Sequence, residues 1–258
     1  MGGALAAVAD DPSTVPWNFA GLAGIAGPGL SASYLSLYPD LKLGLSYHLL
    51  AACLPTRFGS AGLSWIAFSS ELYREDIICL AYSKRVNRAL SVGGAWRLLR
   101  RSISENEYVR ADPNLVGIPL SKSSASLDLG ALLELKRLRV GISASNLIPP
   151  DVGFIEEEIV PPTLRMGIAW GDNPIGSFEA RLRGREIGFG AGIEWRPFKS
   201  FPIRAGIGSN TLSIGWGIRK GIGSALIQID YAFVHPLSGI KGSPGWHLLS
   251  ASLVRSRR

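Results

Sequence analysis

Bulky apolar residues alternate one for one with glycine, serine or charged residues along most of this 258-residue chain, and that period of two constrains the fold more than any other feature. In 186–196, Ile187, Phe189, Ala191, Ile193 and Trp195 alternate with Gly188, Gly190, Gly192, Glu194 and Arg196. In 211–220, Leu212, Ile214, Trp216 and Ile218 alternate with Ser213, Gly215, Gly217 and Arg219. Residues 163–171 repeat the pattern, as do residues 125–136 with Leu132 as an exception. Successive strand side chains point to opposite faces, so each segment has one apolar face and one small or charged face. Helical apolar stripes are scarce, because the 31 glycines and 16 prolines interrupt the chain too often.

About fourteen such segments are predicted: 30–38, 41–51, 57–69, 76–86, 88–99, 125–136, 138–147, 163–171, 176–183, 186–196, 202–209, 211–220, 223–233 and 245–255. The first four alternate least cleanly, with apolar residues on both faces. Most segments are about 8–12 residues long, near the ~9–11 that a tilted strand needs to cross a bilayer and longer than the ~5–6 usual in soluble proteins. The three longest connections, 100–124, 148–162 and 234–244, fall on one side of an up-and-down meander. The others are tight, among them Pro39-Asp40, Arg137 and Gly221-Ile222. Outer-membrane barrels have this asymmetry of short periplasmic turns and longer outer loops. Within 100–124, Asn106, Asp112-Pro113-Asn114 and the serines of 121–126 read as an exposed excursion.

Composition narrows the choice. The chain is 47% hydrophobic but only 18% charged, against ~25% in soluble domains. No apolar run approaches the ~18 residues of a membrane-crossing helix. Disordered, coiled-coil and disulfide-framework classes are excluded. Two architectures remain, a transmembrane barrel and a soluble β-sandwich. The polar face favours the barrel, since it carries glycine and serine and few lysines. Its charges are of both signs: Asp128, Glu134, Arg139, Arg165, Glu179, Arg181, Arg183, Glu194, Arg204, Arg219 and Asp230. Opposite charges can pair across an enclosed lumen. Trp65, Trp96, Trp170, Trp195, Trp216 and Trp246 tend toward strand ends, as aromatic girdles do. A spanning sheet must close, because lipid cannot satisfy a free edge. Fourteen strands enclose a space too wide for side chains alone to fill.

Residues 1–29 do not read as a strand. Gly2-Gly3-Ala4-Leu5-Ala6-Ala7-Val8-Ala9-Asp10-Asp11 is rich in small residues, and Trp17-Asn18-Phe19-Ala20-Gly21-Leu22 follows. The stretch lacks a basic n-region, so it is not read as a signal peptide; a signal is expected to have been removed or to lie outside the given chain. The two stretches resemble the start of the FadL-like outer-membrane barrels, in particular the PorV/PorQ-type branch. Leu138-Arg139-Val140-Gly141-Ile142 with Asn146-Leu147, Pro162 to Ala169, and Ile229-Asp230-Tyr231-Ala232-Phe233 are similar to later strands of that family. The resemblance implies an all-β, fourteen-stranded, up-and-down antiparallel barrel over 30–258 in a bacterial outer membrane, with 1–29 folded inside as a hatch around Asn18, Phe19, Ala20 and Gly21. Phe19 stands where the family has proline, and the chain ends in Arg258, not in the usual terminal aromatic residue.

Transport is the function this implies, without catalysis: a hydrophobic or amphipathic small molecule passes or binds, the hatch gates, and the lumen charges Asp128, Glu134, Arg139, Arg165, Glu194, Arg204, Arg219 and Asp230 tune selectivity. The alternative is a PorV-like component of a secretion apparatus that holds secreted proteins at the surface. A soluble sandwich binding module is a third reading. No catalytic residues, metal site or cofactor are expected. His48, His235 and His247 have no metal-site spacing. Gly188 to Gly192 opens no helix and is no phosphate loop. No nucleophile elbow occurs. Cys53 and Cys79 are read as two small apolar residues, with pairing left open. Glu156-Glu157-Glu158 is read as a solvated loop. The net charge of +7 is spread over strands and ends, which disfavours nucleic acid and fits contact with outer-membrane lipid head groups.

Overall fold

The computed structural model describes residues 1–8, 11–14, 16–41, 43–105, 109, 117–238 and 245–255. Fourteen antiparallel strands form one closed barrel in sequence order. They are β1 (Gly29–Ser36), β2 (Ser46–Pro55), β3 (Ser60–Ser69), β4 (Tyr73–Arg85), β5 (Leu90–Ile103), β6 (Ser121–Leu135), β7 (Leu138–Ser145), β8 (Thr163–Trp170), β9 (Ile175–Arg183), β10 (Glu186–Phe198), β11 (Phe201–Gly208), β12 (Thr211–Ile222), β13 (Ala225–Pro236) and β14 (Trp246–Arg255). β1 closes on β14 from Gly29 opposite Val254 to Ser36 opposite His247. Closure leaves no unpaired edge. No helix among the described residues is long and apolar enough to cross a membrane.

The register decides which face each residue takes. On β10, Ile187, Phe189, Ile193 and Trp195 are exposed on the outer wall, Ile187 at 79%. Gly188, Gly190 and Gly192 of the same strand point into the barrel. Met166, Ile168 and Trp170 on β8 and Ile214, Trp216 and Ile218 on β12 are likewise exposed. The bulky face therefore points outward and the glycine face inward, the reverse of two sheets packed on a shared apolar core. This ends the sandwich alternative.

Four longer connections, 37–45, 104–120, 146–162 and 237–245, lie at one end of the barrel. β1 begins and β14 ends at the other. Three expectations are corrected. Pro39-Asp40 is no tight turn but part of the 37–45 connection, which holds a 3-10 turn at Pro39–Leu41. The serines of 121–126 belong to β6, because their backbone pairs with β5 from Ser102 opposite Ser121 to Arg97 opposite Ser126, and Ser126 Oγ also donates to the Ile148 carbonyl at 2.8 Å. Trp65, Trp96 and Trp216 sit in the middle of β3, β5 and β12 and Trp246 takes the inward parity of β14, so of the six only Trp170 and Trp195 lie outward toward a strand end. Residues 106–108, with Asn106, and Asp112-Pro113-Asn114 lie outside the described residues.

Candidate functional site

The described residues of 1–28 lie inside the barrel. Their first anchor is a 3-10 turn at Phe19–Gly24 packed on β3 to β6. Asn18 sits at its start, and its Oδ1 accepts the Ala20 N–H at 3.1 Å, the capping role that asparagine favours. Its Nδ2 donates to the carbonyls of Ala6 at 2.8 Å and Ala131 of β6 at 3.1 Å. One side chain thus ties the two halves of the segment to each other and to the wall. Phe19, Leu22 and Ile25 pack against Cys53, Cys79, Ala81 and Ala95. Ala20 meets Leu132, the residue that broke the alternation of β6, so that apolar intrusion serves the buried segment. Cys53 and Cys79 are free thiols within this cluster.

The second anchor is Met1–Val8, which crosses the inner faces of β7 to β11. Inward glycines make room for it. A methyl group at Gly141 would lie 2.1 Å from the Ala6 carbonyl oxygen, and one at Gly190 would lie 2.2 Å from that of Gly2, so only glycine permits the backbone to approach this closely. Glu179 of β9 then holds the segment: its Oε2 accepts the N–H groups of Leu5 at 3.0 Å and Ala6 at 2.8 Å. Arg165 of β8 completes the pin, pairing with Glu179 Oε1 at 2.9 Å. Ser143 Oγ donates to the Trp17 carbonyl at 2.7 Å.

Strand register puts Asp128, Glu134, Arg139, Arg165, Glu194, Arg204, Arg219 and Asp230 on the inner face. They form separate networks. Glu194 pairs with both Arg196 and Arg204 at 2.6 Å, and Arg204 also reaches Asp230 at 2.6 Å. Glu134 pairs with Arg85 at 2.7 Å. Asp128, 1% exposed, pairs with Arg97 at 2.5 Å and accepts the Asn146 N–H at 2.9 Å. Asn146 itself has φ 57°, a left-handed conformation that asparagine tolerates. Arg97 and the anchoring role of Glu179 escaped sequence reading. Arg97 had a local signal, being the charge between the outward Trp96 and Leu98 of β5. The contact of Glu179 joins residues more than 170 positions apart and had none.

The lumen is not filled. A cavity of about 500 Å³ lies between the segment and β10 to β14 toward the chain ends, bordered by Met1, Leu5, Arg139, Arg204, Arg219 and Ser250 among others. A second, of about 300 Å³, lies beyond Gly2 and Gly3 and meets Arg181 and Thr211. The first residues of the chain thus border both spaces. At the loop end, connection 146–162 is strapped to the wall by Glu158 to Arg101 at 2.6 Å and by Asp151 to Lys122. Val152 between them is fully buried. His48, His235 and His247 take outward parities on β2, β13 and β14. Among the described residues no group of three His, Cys, Asp or Glu is placed to hold a metal ion.

No family model and no curated protein matches this sequence. Solved structures do. The toluene transporter TbuX of Ralstonia pickettii superposes with a TM-score of 0.65 at 12% identity, covering 100% of this chain and 98% of that one. A Pseudomonas aeruginosa FadL homologue gives 0.61 at 14% identity over 99% and 96%. The toluene transporter TodX of P. putida gives 0.65 at 10% identity over 95% and 94%. At these identities the likeness is one of architecture: the chain has the fold shared by FadL-like barrels.

Proposed function

We propose that this chain is a bacterial outer-membrane barrel that passes hydrophobic or amphipathic small molecules, with residues 1–28 as the hatch. The observation that carries the reading is the seating of that segment. It leaves two cavities in the lumen, and it is held to the wall by polar contacts of Glu179, Asn18 and Ser143 and by the packing of Phe19, Leu22 and Ile25. The outward band of Leu, Ile, Phe and Trp supports placement in lipid. The likeness to barrels described as toluene transporters supports passage over the docking of secreted proteins.

Proteoliposomes loaded with an environment-sensitive acceptor dye test this, with toluene and a long-chain alcohol as solutes. The full chain is expected to speed entry over empty liposomes. Glu179→Gln keeps the side-chain size but turns two charge-assisted hydrogen bonds into neutral ones. At about 1 kcal/mol lost for each, the hatch equilibrium shifts by roughly tenfold or more, and entry is expected to rise accordingly. Equal entry with and without protein, for both chains, would remove the reading.

The strap at the loop end carries a pH prediction. The Lys122 ammonium, with the N–H groups of Gly153 and Glu158, holds the Asp151 carboxyl down to about 2, from an ordinary 3.8. A depressed carboxylate stabilises the folded loop above its ordinary pKa, and that contribution disappears as pH falls through the depressed value. Connection 146–162 is therefore expected to resist pepsin at pH 4 and to be cut near pH 2. Equal cutting at both pH values would show that Asp151 does not hold it.

A further inference from the structure

Four guanidinium groups, Arg139, Arg196, Arg204 and Arg219, and four carboxylates, Asp11, Glu134, Glu194 and Asp230, border the 500 Å³ cavity, but they are not all paired with one another. Its strand carboxylates are all engaged. Glu134 is taken by Arg85, Glu194 by Arg196 and Arg204, and Asp230 by Arg204 and by the Gln228 amide at 2.7 Å. Asp11, on the segment, accepts both the N–H and the hydroxyl of Ser13. Arg139 and Arg219 border the same cavity, and neither makes an ion pair among the described residues. The register shows why. The residue directly opposite Arg139 across β6 and β7 is Glu134, whose carboxylate has turned to Arg85. The residue opposite Arg219 across β12 and β13 is Gln228, whose amide has turned to Asp230. Both side chains are half-buried.

Two guanidinium groups without an ion-pair partner among the described residues, from strands β7 and β12, face this space while the strand carboxylates are taken by other groups, so the charge left for a small solute there is positive. Ser250 and Ser252 border the same space and supply hydroxyl donors, whereas the Ser31 and Ser213 hydroxyls already donate to the carbonyls of Ala251 and Gly206. We propose that the cavity is an anion-selecting vestibule: beside the seated segment, the lumen admits small monovalent anions such as chloride and acetate in preference to cations of similar size. This rests on the reading of the lumen as a passage and names the charge class that its polar side accepts.

The full-length chain in a planar bilayer, at low ionic strength where screening is weak, tests the proposal through the reversal potential under a potassium chloride gradient. The expected sign is that of chloride permeation, with the permeability ratio falling toward about one in the Arg139→Gln, Arg219→Gln double variant. A second measurement needs neither the variant nor passage. Phenylglyoxal labelling of the unaltered chain, mapped by mass spectrometry, should slow at Arg139 and Arg219 when acetate is added, while the solvent-exposed Arg57 is unaffected. Potassium selectivity, absence of conductance, a ratio untouched by the double variant, or labelling at Arg139 and Arg219 that acetate leaves unchanged would each overturn the proposal. Entry of toluene measured in parallel separates the two readings. Entry without anion preference refutes only the vestibule; anion preference without entry refutes only hydrophobic transport.

Discussion

Arg97→Ala is expected to destabilise the barrel by about 3–5 kcal/mol, the range for removing one partner of a buried ion pair. The side chains of Arg97 and Asp128 are 9% and 0% exposed, so water does not screen them. Without Arg97 the Asp128 carboxylate keeps only the Asn146 N–H at 2.9 Å. Asp128 links β6 to the start of connection 146–162, so the loss is expected to loosen that connection as well. Replacing both partners, Arg97→Met with Asp128→Leu, is expected to be milder than Arg97→Ala, because no buried charge is left alone. Denaturant unfolding in detergent micelles, followed by tryptophan fluorescence, measures both. A loss below about 1 kcal/mol for Arg97→Ala would place the pair in solvent and contradict its burial.

Gly141→Val is expected to unseat the N-terminal segment while the barrel stays closed. Valine suits the strand itself. Its Cβ, however, would fall 2.1 Å from the Ala6 carbonyl oxygen, and that neighbour is backbone, which cannot rotate aside. The two hydrogen bonds that the N–H groups of Leu5 and Ala6 donate to Glu179 are lost with the displacement. The sum is a shift of roughly 3 kcal/mol or more, on the order of a hundredfold in the seated fraction. Limited proteolysis should cut within the first residues of the variant and not of the unaltered chain, while heat-modifiable migration on a gel stays unchanged. Solute entry should rise with cleavage. A variant that resists protease at its start would show that the segment does not depend on the glycine gap.

The alternation made the strands and their inward and outward faces legible, because a period of two survives whatever the neighbouring strand is. Strand ends were less legible. β5 and β6 run on to Ile103 and from Ser121, through residues whose polarity looks like loop but whose partners lie on other strands. The glycine excess was legible as relief of crowding, but what it makes room for was not. Gly141, Gly190 and Gly206 sit on three different strands and face a segment at the opposite end of the sequence. The division of the lumen charges was hidden for a similar reason. Glu134 and Arg139 are direct cross-strand neighbours, the pair that strand register alone would join, yet the carboxylate goes to Arg85. Which of two guanidinium groups wins depends on side-chain reach and on the curvature of the wall.

The most direct test of a gating segment is to lock it. A methyl carbon at Gly167 would lie 3.2 Å from Ala6 Cβ, a few tenths of an ångström short of the ~3.5–4.5 Å that a disulfide spans, so a small shift of the segment lets Ala6→Cys with Gly167→Cys bridge it to β8. The native Cys53 and Cys79 are buried elsewhere in the lumen and do not compete. Toluene entry into proteoliposomes is predicted to fall to the empty-liposome rate when this variant is oxidised and to recover fully on reduction. Entry that proceeds unchanged through the oxidised, cross-linked barrel would contradict the account.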